Sequence, residues 1–193
     1  MIDERIVKLA SRLIDAVNLQ SGENILIECT DTPSSISAAL TAVAASRGAN
    51  PIVRTYDSVV EKEFIAAASK AAKENRARHE LAVMRDMHAY IAVRGANNVF
   101  EMASIDGQTV TEDKQIMKPV LRYRVDHTKW CVTRWPNAAM AQEAKMSTES
   151  FENFYFDACL VDYKQMAKDA QPLVDLMNKT KKVRIVAPGT DLS

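Results

Sequence analysis

Three histidines, His79, His88 and His127, are the residues most suited to metal or acid–base chemistry near neutral pH. No two of them stand four residues apart, the spacing that places two ligands on one face of a helix, and the zinc motif H-E-x-x-H does not occur. His79 lies in a charged helical stretch, His88 just before a predicted strand and His127 beside a predicted turn. The pattern favours structural or solvated roles for all three.

The nucleophile candidates are Cys29, Cys131 and Cys159, because the sequence has no G-x-S-x-G elbow for a serine. Their number is odd, their spacings are long and no C-x-x-C occurs. This usage is typical of reduced thiols in the cytosol, not of a disulfide framework or a zinc site. We therefore expect a cytoplasmic protein whose Cys131 and Cys159 serve as small buried hydrophobes.

The five glycines each fall at a segment boundary or in a loop, and neither G-x-G-x-x-G nor G-x-x-x-x-G-K-[ST] is present. Close approach of the backbone to a phosphate requires such glycines, so a dinucleotide or P-loop site is not expected. The 25 basic and 25 acidic residues balance, which argues against nucleic-acid binding. No apolar run approaches the roughly 20 residues of a membrane span, and the first residues do not form a signal peptide.

Apolar periodicity predicts the elements that would position any site. The residues Ile6, Leu9, Leu13 and Val17 form one helical stripe, expected to dock the first helix on a sheet. Capping-box spacing at 58–61 and 109–112 predicts two further helix starts. Five strand-length apolar runs alternate with helical segments, at 24–29, 51–56, 89–95, 128–134 and 183–187. The expected fold is therefore α/β, a Rossmann-like parallel sheet of about five strands with helices on both faces.

Two stretches resemble a known family. The opening run DERIVKLASRLIDAVNLQSGENILIE and the later run RWPNAAMAQEAKMSTESFENFYFDACLVDYKQM, followed by Gly-Thr-Asp-Leu at 189–192, are similar to the thermophilic metallo-aminopeptidases. These comprise aminopeptidase T, aminopeptidase S and their leucyl aminopeptidase relatives. The order of segments also agrees, although residues 57–127 match only in pattern.

The resemblance implies a hydrolase that removes N-terminal residues from peptides with two divalent metals, zinc, cobalt or manganese. In that family the metal ligands and the catalytic Glu and Tyr follow the Gly-Thr-Asp-Leu motif, so none is carried over to this chain. Residues 1–193 are thus expected to form a single α/β domain, the N-terminal, non-catalytic part of a longer two-domain enzyme. Its implied partners are peptide substrates, a C-terminal catalytic domain and a second copy in a homodimer, and this chain alone is predicted to be inactive.

Residues just beyond the carboxyl ends of parallel strands face the ligand crevice of such a sheet. The resemblance gives two of these turns a role: Arg134, Trp135 and Asn137 would line a substrate cavity, and Gly189, Thr190 and Asp191 would form the hinge to the catalytic domain. An arginine can pair with a substrate carboxylate, and a tryptophan offers a flat apolar wall. The alternative is that both turns serve only the backbone, since turn residues of these types usually do.

A second function from another class remains open. A free-standing α/β module could bind a small molecule or regulate a partner through a site at the carboxyl ends of its strands. The reading frame beyond residue 193 separates the two hypotheses, because a continuation with Glu and His ligands selects the enzyme.

Overall fold

The structure, a computed structural model, describes residues 2–192, of which those up to Leu160 form one compact unit. Its helices are α1 (Glu4–Ala16), α2 (Ser34–Ser46), α3 (Ser58–Ala67), α4 (Lys70–Arg85), α5 (Gly107–His127), α6 (Ala138–Glu143) and α7 (Thr148–Cys159). Its strands are β1 (Asn24–Thr30), β2 (Asn50–Tyr56), β3 (Ala89–Arg94) and β4 (Lys129–Arg134). None of the helices within residues 2–192 combines the length and apolar character that crossing a membrane would require.

The four strands form one parallel sheet in the order β2-β1-β3-β4. The chain runs from β1 outward to β2, then returns across β1 to β3 and continues to β4. The direction of winding therefore reverses between β1 and β3, which is the topological switch point of the sheet. The predicted α/β fold is confirmed, with helices packed on both faces.

The first face of the sheet carries the larger core. Here the predicted stripe of α1 is buried, with Leu9 2% and Leu13 7% exposed. This stripe packs together with α2 and α7 over alternate residues of the two central strands, among them Ile25, Ile27 and Ile91. The prediction that α1 docks on the sheet is thus confirmed.

The second face carries a smaller core beneath α4 and α5. It contains Leu26, Met84, Met87, Tyr90, Ala92 and Val120. Along β1 only Leu26 contributes to this core, because the next residue on the same face is the half-buried Glu28. The apolar layer on this side therefore stops before the carboxyl end of the strand.

Two helices begin earlier than their capping-box spacing predicts. Asp57, not Ser58, caps α3 by accepting hydrogen bonds from the backbone N–H groups of Val59 and Val60. Asp106 likewise caps α5 and accepts from the N–H of Thr109 at 3.0 Å. An aspartate satisfies these free N–H groups without a reciprocal glutamate. The capping-box spacing therefore predicted the correct region for each helix start but the wrong cap residue.

The residues from Val161 onward form a second compact unit. It consists of α8 (Tyr163–Lys179) and the short strands β5 (Ile185–Ala187) and β6 (Thr190–Leu192). The strand predicted at 183–187 therefore exists over three residues, but it pairs antiparallel with β6 in a separate two-stranded sheet. The parallel sheet accordingly has four strands.

Replacing Leu13 by alanine should lower the free energy of unfolding by about 2–5 kcal/mol, because a buried side chain would leave a cavity against the sheet. Val7→Ala on the same helix is the matched control, since Val7 is 40% exposed. Urea unfolding followed by circular dichroism measures both variants. A loss below about 0.5 kcal/mol for Leu13→Ala would show that this face does not support the core.

An ion pair between Glu23 and Lys129, at the amino ends of β1 and β4, makes the stability of the fold depend on pH. Burial opposes ionisation of Glu23, but hydrogen bonds from Lys129 Nζ (2.5 Å) and the Gln20 N–H (2.8 Å) outweigh it, so the pKa of Glu23 lies below its usual value. A carboxyl whose pKa is lowered by folding stabilises the protein above the unfolded-state pKa, about 4.3, and this contribution is lost as the pH falls through the folded-state pKa.

Glu23→Gln should therefore be less stable than the wild type at pH 7, and the difference should shrink towards zero as the pH falls below about 3. Urea unfolding at the two pH values measures it, with the exposed Glu63→Gln as the control. An unchanged difference at low pH would assign the effect to packing.

Candidate functional site

A crevice of about 780 Å³ opens at the carboxyl ends of the strands, beside the switch point between β1 and β3. Its rim comes from the ends of three neighbouring strands and the turns that follow them: Thr30 at the end of β1 with Asp31 after it, Arg94 at the end of β3 with Gly95 after it, and Arg134 at the end of β4. Open parallel sheets bind their ligands at this location, because the loops on either side of the switch point diverge there.

The two central turns of this rim are locked to each other. The Gly95 N–H donates to the Thr30 carbonyl at 2.7 Å, and a Cβ on Gly95 would stand 2.1 Å from the Asp31 carbonyl oxygen, so only glycine fits. Asp31 adopts φ 49°, and its Oδ1 accepts from the Ser58 N–H at 2.9 Å. Asp31 Oδ2 is buried with no hydrogen-bond partner in the part of the chain described. The rim is therefore a fixed scaffold with one unsatisfied acceptor.

The side chains free to meet a ligand in the crevice carry a small excess of positive charge. Its cations Arg94, Lys114 and Arg134 have no carboxylate within 4.0 Å among residues 2–192, whereas the lining Glu101 is held by a lysine of α3 at 3.1 Å. Asp31 and Glu143 are the remaining carboxylates of the lining, so three unpaired cations face two unpaired acids among the described residues. The crevice is therefore suited to the anionic end of a ligand.

The structure brings two of the three predicted cavity residues to this crevice. Arg134 is exposed and lines it, and Asn137 lines it while its Oδ1 caps α6 by accepting from the Met140 N–H at 2.9 Å. Trp135 is 8% exposed and packs edge to face on Phe156 in the larger core, with ring centroids 6.2 Å apart. The tryptophan therefore supports the turn from inside and presents no wall to the crevice.

The predicted hinge residues lie in the second unit. Gly189 has φ 73° in the turn between β5 and β6, and Thr190 and Asp191 belong to β6. Asp191 accepts two hydrogen bonds from Arg184, at 2.8 and 2.6 Å, and these hold the pKa of this exposed carboxyl below its usual value. The segment is a hairpin whose ends are joined by an ion pair, and the hinge role stays a prediction.

A second cavity, of about 300 Å³, lies on the other side of the rim, between the sheet and the helices α4 and α5. Glu28 faces it and accepts hydrogen bonds from the hydroxyl groups of Tyr90 (2.5 Å) and Tyr56 (3.4 Å). Burial raises the pKa of Tyr56 to about 12 and that of Tyr90 well above its usual value, with the charge of Glu28 adding to both. Arg124 stacks on the Tyr90 ring at 4.5 Å.

Sequence reasoning did not find this second cavity. The one available signal was Glu28 itself, a charged residue inside the apolar run ILIEC of a central strand. Buried acids are rare unless they are paired or functional, so its position predicts a polar partner on the facing elements. The identity of that partner, Tyr90, depends on strand register, which no local pattern reveals.

The described residues do not fit the two-metal centre that the sequence resemblance implies. No group of three or more His, Cys, Asp and Glu side chains within residues 2–192 could hold a metal ion. The lining carboxylates of the second cavity are engaged, Glu61 with Arg76 and Glu80 with Arg54, and His88 Nδ1 accepts from the Asn24 N–H at 3.1 Å. No step of metal chemistry is therefore assigned to these side chains.

Comparison with solved structures shows the same fold in wild-type AmpT from Thermus thermophilus, with a TM-score of 0.64 at 17% sequence identity. The match covers 83% of this chain and 43% of AmpT, so the chain spans less than half of that protein. An alcohol dehydrogenase superfamily protein from Novosphingobium aromaticivorans matches at 15% identity over 82% of this chain and 48% of its own, with a TM-score of only 0.33. A search of curated proteins finds no match.

The similarity in fold agrees with a match across the sequence. Residues 2–193, nearly the whole length, match the family described as thermophilic metalloprotease (M29). The chain therefore belongs to the thermophilic metalloprotease family M29.

Proposed function

We propose that this chain is the N-terminal, non-catalytic α/β part of a metal-dependent aminopeptidase and that its crevice forms one wall of the substrate cavity. The observation that carries the proposal is the family match over residues 2–193, in a chain that spans 43% of AmpT. The crevice at the switch point gives this part of the enzyme a surface that can meet a substrate.

Catalysis would belong to a C-terminal domain with two divalent metals, zinc, cobalt or manganese. Such metals, when bound, activate a water molecule and polarise the scissile carbonyl. The residues of this chain would orient the peptide and limit access to the cavity. Peptide substrates and assembly as a homodimer are parts of the same proposal and rest on the sequence resemblance, whereas a cytoplasmic location rests on the cysteine usage.

Arg134 would bind the carboxylate end of a peptide whose amino end lies at the metals. Its guanidinium is exposed at the crevice and has no carboxylate within 4.0 Å among residues 2–192. A guanidinium–carboxylate pair is a strong and directional contact.

Gly189 would serve the gating movement, since glycine adopts its positive φ without the strain that a side chain would add. Together with Thr190 and Asp191 it would form the hinge.

The purified chain should neither retain zinc, cobalt or manganese after dialysis nor hydrolyse aminoacyl p-nitroanilides. The expectation follows from the family resemblance, in which the ligands follow the Gly-Thr-Asp-Leu motif. Elemental analysis and a chromogenic assay measure the two properties. Stoichiometric metal together with activity that tracks the metal would contradict the proposal.

In the complete enzyme, Arg134→Ala should raise KM about tenfold or more for short peptides with a free carboxyl terminus, because it removes a charge-assisted hydrogen bond. The same peptides with an amidated terminus should show no change. Arg122→Ala, on the exposed face of α5, is the control variant. Trp135→Ala is not informative here, since this side chain is part of the core.

Equal effects on free and amidated peptides would contradict the carboxylate role of Arg134. Sequencing the gene beyond residue 193 tests the two-domain proposal itself. A continuation that carries Glu and His ligands supports the enzyme, and a stop codon supports a free-standing small-molecule-binding module, for which the same crevice would be the site.

A further inference from the structure

The cavity beneath α4 and α5 contains opposite charges that face the same space without touching. Glu28 presents its carboxylate, held by the hydroxyl groups of Tyr90 at 2.5 Å and Tyr56 at 3.4 Å. Arg94 and Arg124 also line the cavity, and neither has a carboxylate within 4.0 Å in the described part of the chain. Charges that could pair but are held apart leave room for a ligand between them.

The fold fixes this separation. In the register of β1 and β3, Arg94 lies opposite Thr30 while Glu28 lies opposite Ala92, so the acid and the arginine are one strand and two residues apart. By ordinary strand spacing this places their Cα atoms about 8 Å apart on the same face of the sheet. Arg124 comes from α5 and is held by its stacking on the Tyr90 ring at 4.5 Å, not by an acid.

The other charges of the cavity are already neutralised. Glu61 pairs with Arg76 at 3.0 Å, and Glu80 pairs with Arg54 of β2. One carboxylate and two guanidinium groups are therefore left for a ligand. Both phenols are protonated near neutral pH, and burial, which raises the pKa of Tyr56 to about 12 and that of Tyr90 further, moves their ionisation still farther from neutrality. They keep donating to Glu28 and hold its carboxylate in place.

The rest of the wall is apolar. Met84 of α4 and Met117, Val120 and Leu121 of α5 complete the cavity. Methionine side chains adapt to irregular apolar shapes, so this wall accommodates a branched aliphatic group. The volume of about 300 Å³ lies at the small end of the range for ligand sites, which suits a ligand the size of a single amino acid.

We infer that this cavity binds a free α-amino acid with an apolar side chain, as its zwitterion. The ligand carboxylate would lie between Arg94 and Arg124, its ammonium group at Glu28, and its side chain against the methionines. The inference does not depend on the proposed function, although an aminopeptidase would release compounds of this class. The site is distinct from the crevice, with which it shares only Thr30 and Arg94 at the rim.

Isothermal titration of the purified chain with L-leucine and two analogues tests whether binding requires both charged groups of the amino acid. The analogue 4-methylpentanoate lacks the ammonium group, and 3-methylbutylamine lacks the carboxylate. L-Leucine should bind with one-to-one stoichiometry, and each analogue should bind at least tenfold more weakly, because each loses one charge-assisted contact.

Two arginines of α5 provide a matched pair of variants. Arg124→Gln should weaken L-leucine binding at least tenfold, whereas Arg122→Gln should leave it unchanged, since Arg122 is exposed and paired with Asp126 at 3.6 Å. Glu28→Gln should weaken binding of L-leucine but not of 4-methylpentanoate, which has no ammonium group to lose. Thermal unfolding checks that each variant is folded.

Three results would overturn the inference. The first is absence of saturable binding of L-leucine up to about 20 mM. The second is equal affinity for L-leucine and 4-methylpentanoate, which would show that the cavity recognises anions alone. The third is equal weakening by Arg124→Gln and Arg122→Gln. If Glu28→Gln fails to fold, the comparison of the three ligands on the wild-type chain still decides between zwitterion and anion.

Discussion

The pleat of the central strand β1 determines both the core and the cavity of this protein. β1 lies inside the sheet between β2 and β3, and helices cover both faces of the sheet, so the residues of β1 alternate between two cores. Ile25, Ile27 and Cys29 enter the larger core, whereas Leu26 enters the smaller one and Glu28 follows it on the same face. A one-residue slip would bury the carboxylate among the isoleucines, so the polar cluster and the strand register specify each other.

Strong periodic patterns allowed the fold to be predicted from the sequence. The apolar stripe predicted that α1 docks on the sheet, and the alternation of strands and helices predicted a parallel sheet. Both signals depend only on the spacing of residues that are near each other in sequence. The end of the chain was harder, since Ile185–Ala187 is apolar like the central strands but pairs with a neighbouring segment. The cap residues differ from the predicted ones because Asp57 and Asp106 precede Ser58 and Thr109 and satisfy the N–H groups of a first turn that begins earlier.

The crevice and the cavity depend on contacts between residues that are distant in sequence. For this reason the sequence did not predict the buried position of Trp135 or the cavity at Glu28. Adjacent residues of one turn, Arg134 and Trp135, point in opposite directions, one to the crevice and one to the core. Glu28 on β1 accepts a hydrogen bond from Tyr90 on the neighbouring β3, 62 residues along the chain, and Arg124 of α5 stacks on that tyrosine ring. The crevice and the cavity meet at Thr30 and Arg94, so both sides of the rim present cations that have no carboxylate within 4.0 Å among residues 2–192.

The central claim is that the Glu28–Tyr90 pair is retained to recognise a ligand and not to stabilise the fold. Replacing both partners of a buried polar pair by apolar residues of similar shape is often neutral or stabilising, so a pair that the fold does not need can be removed at little cost in stability. The most direct measurement is the free energy of unfolding of the double variant Glu28→Leu/Tyr90→Phe by urea titration. We predict a value no more than about 1 kcal/mol below the wild type, and a loss above about 3 kcal/mol would contradict the claim.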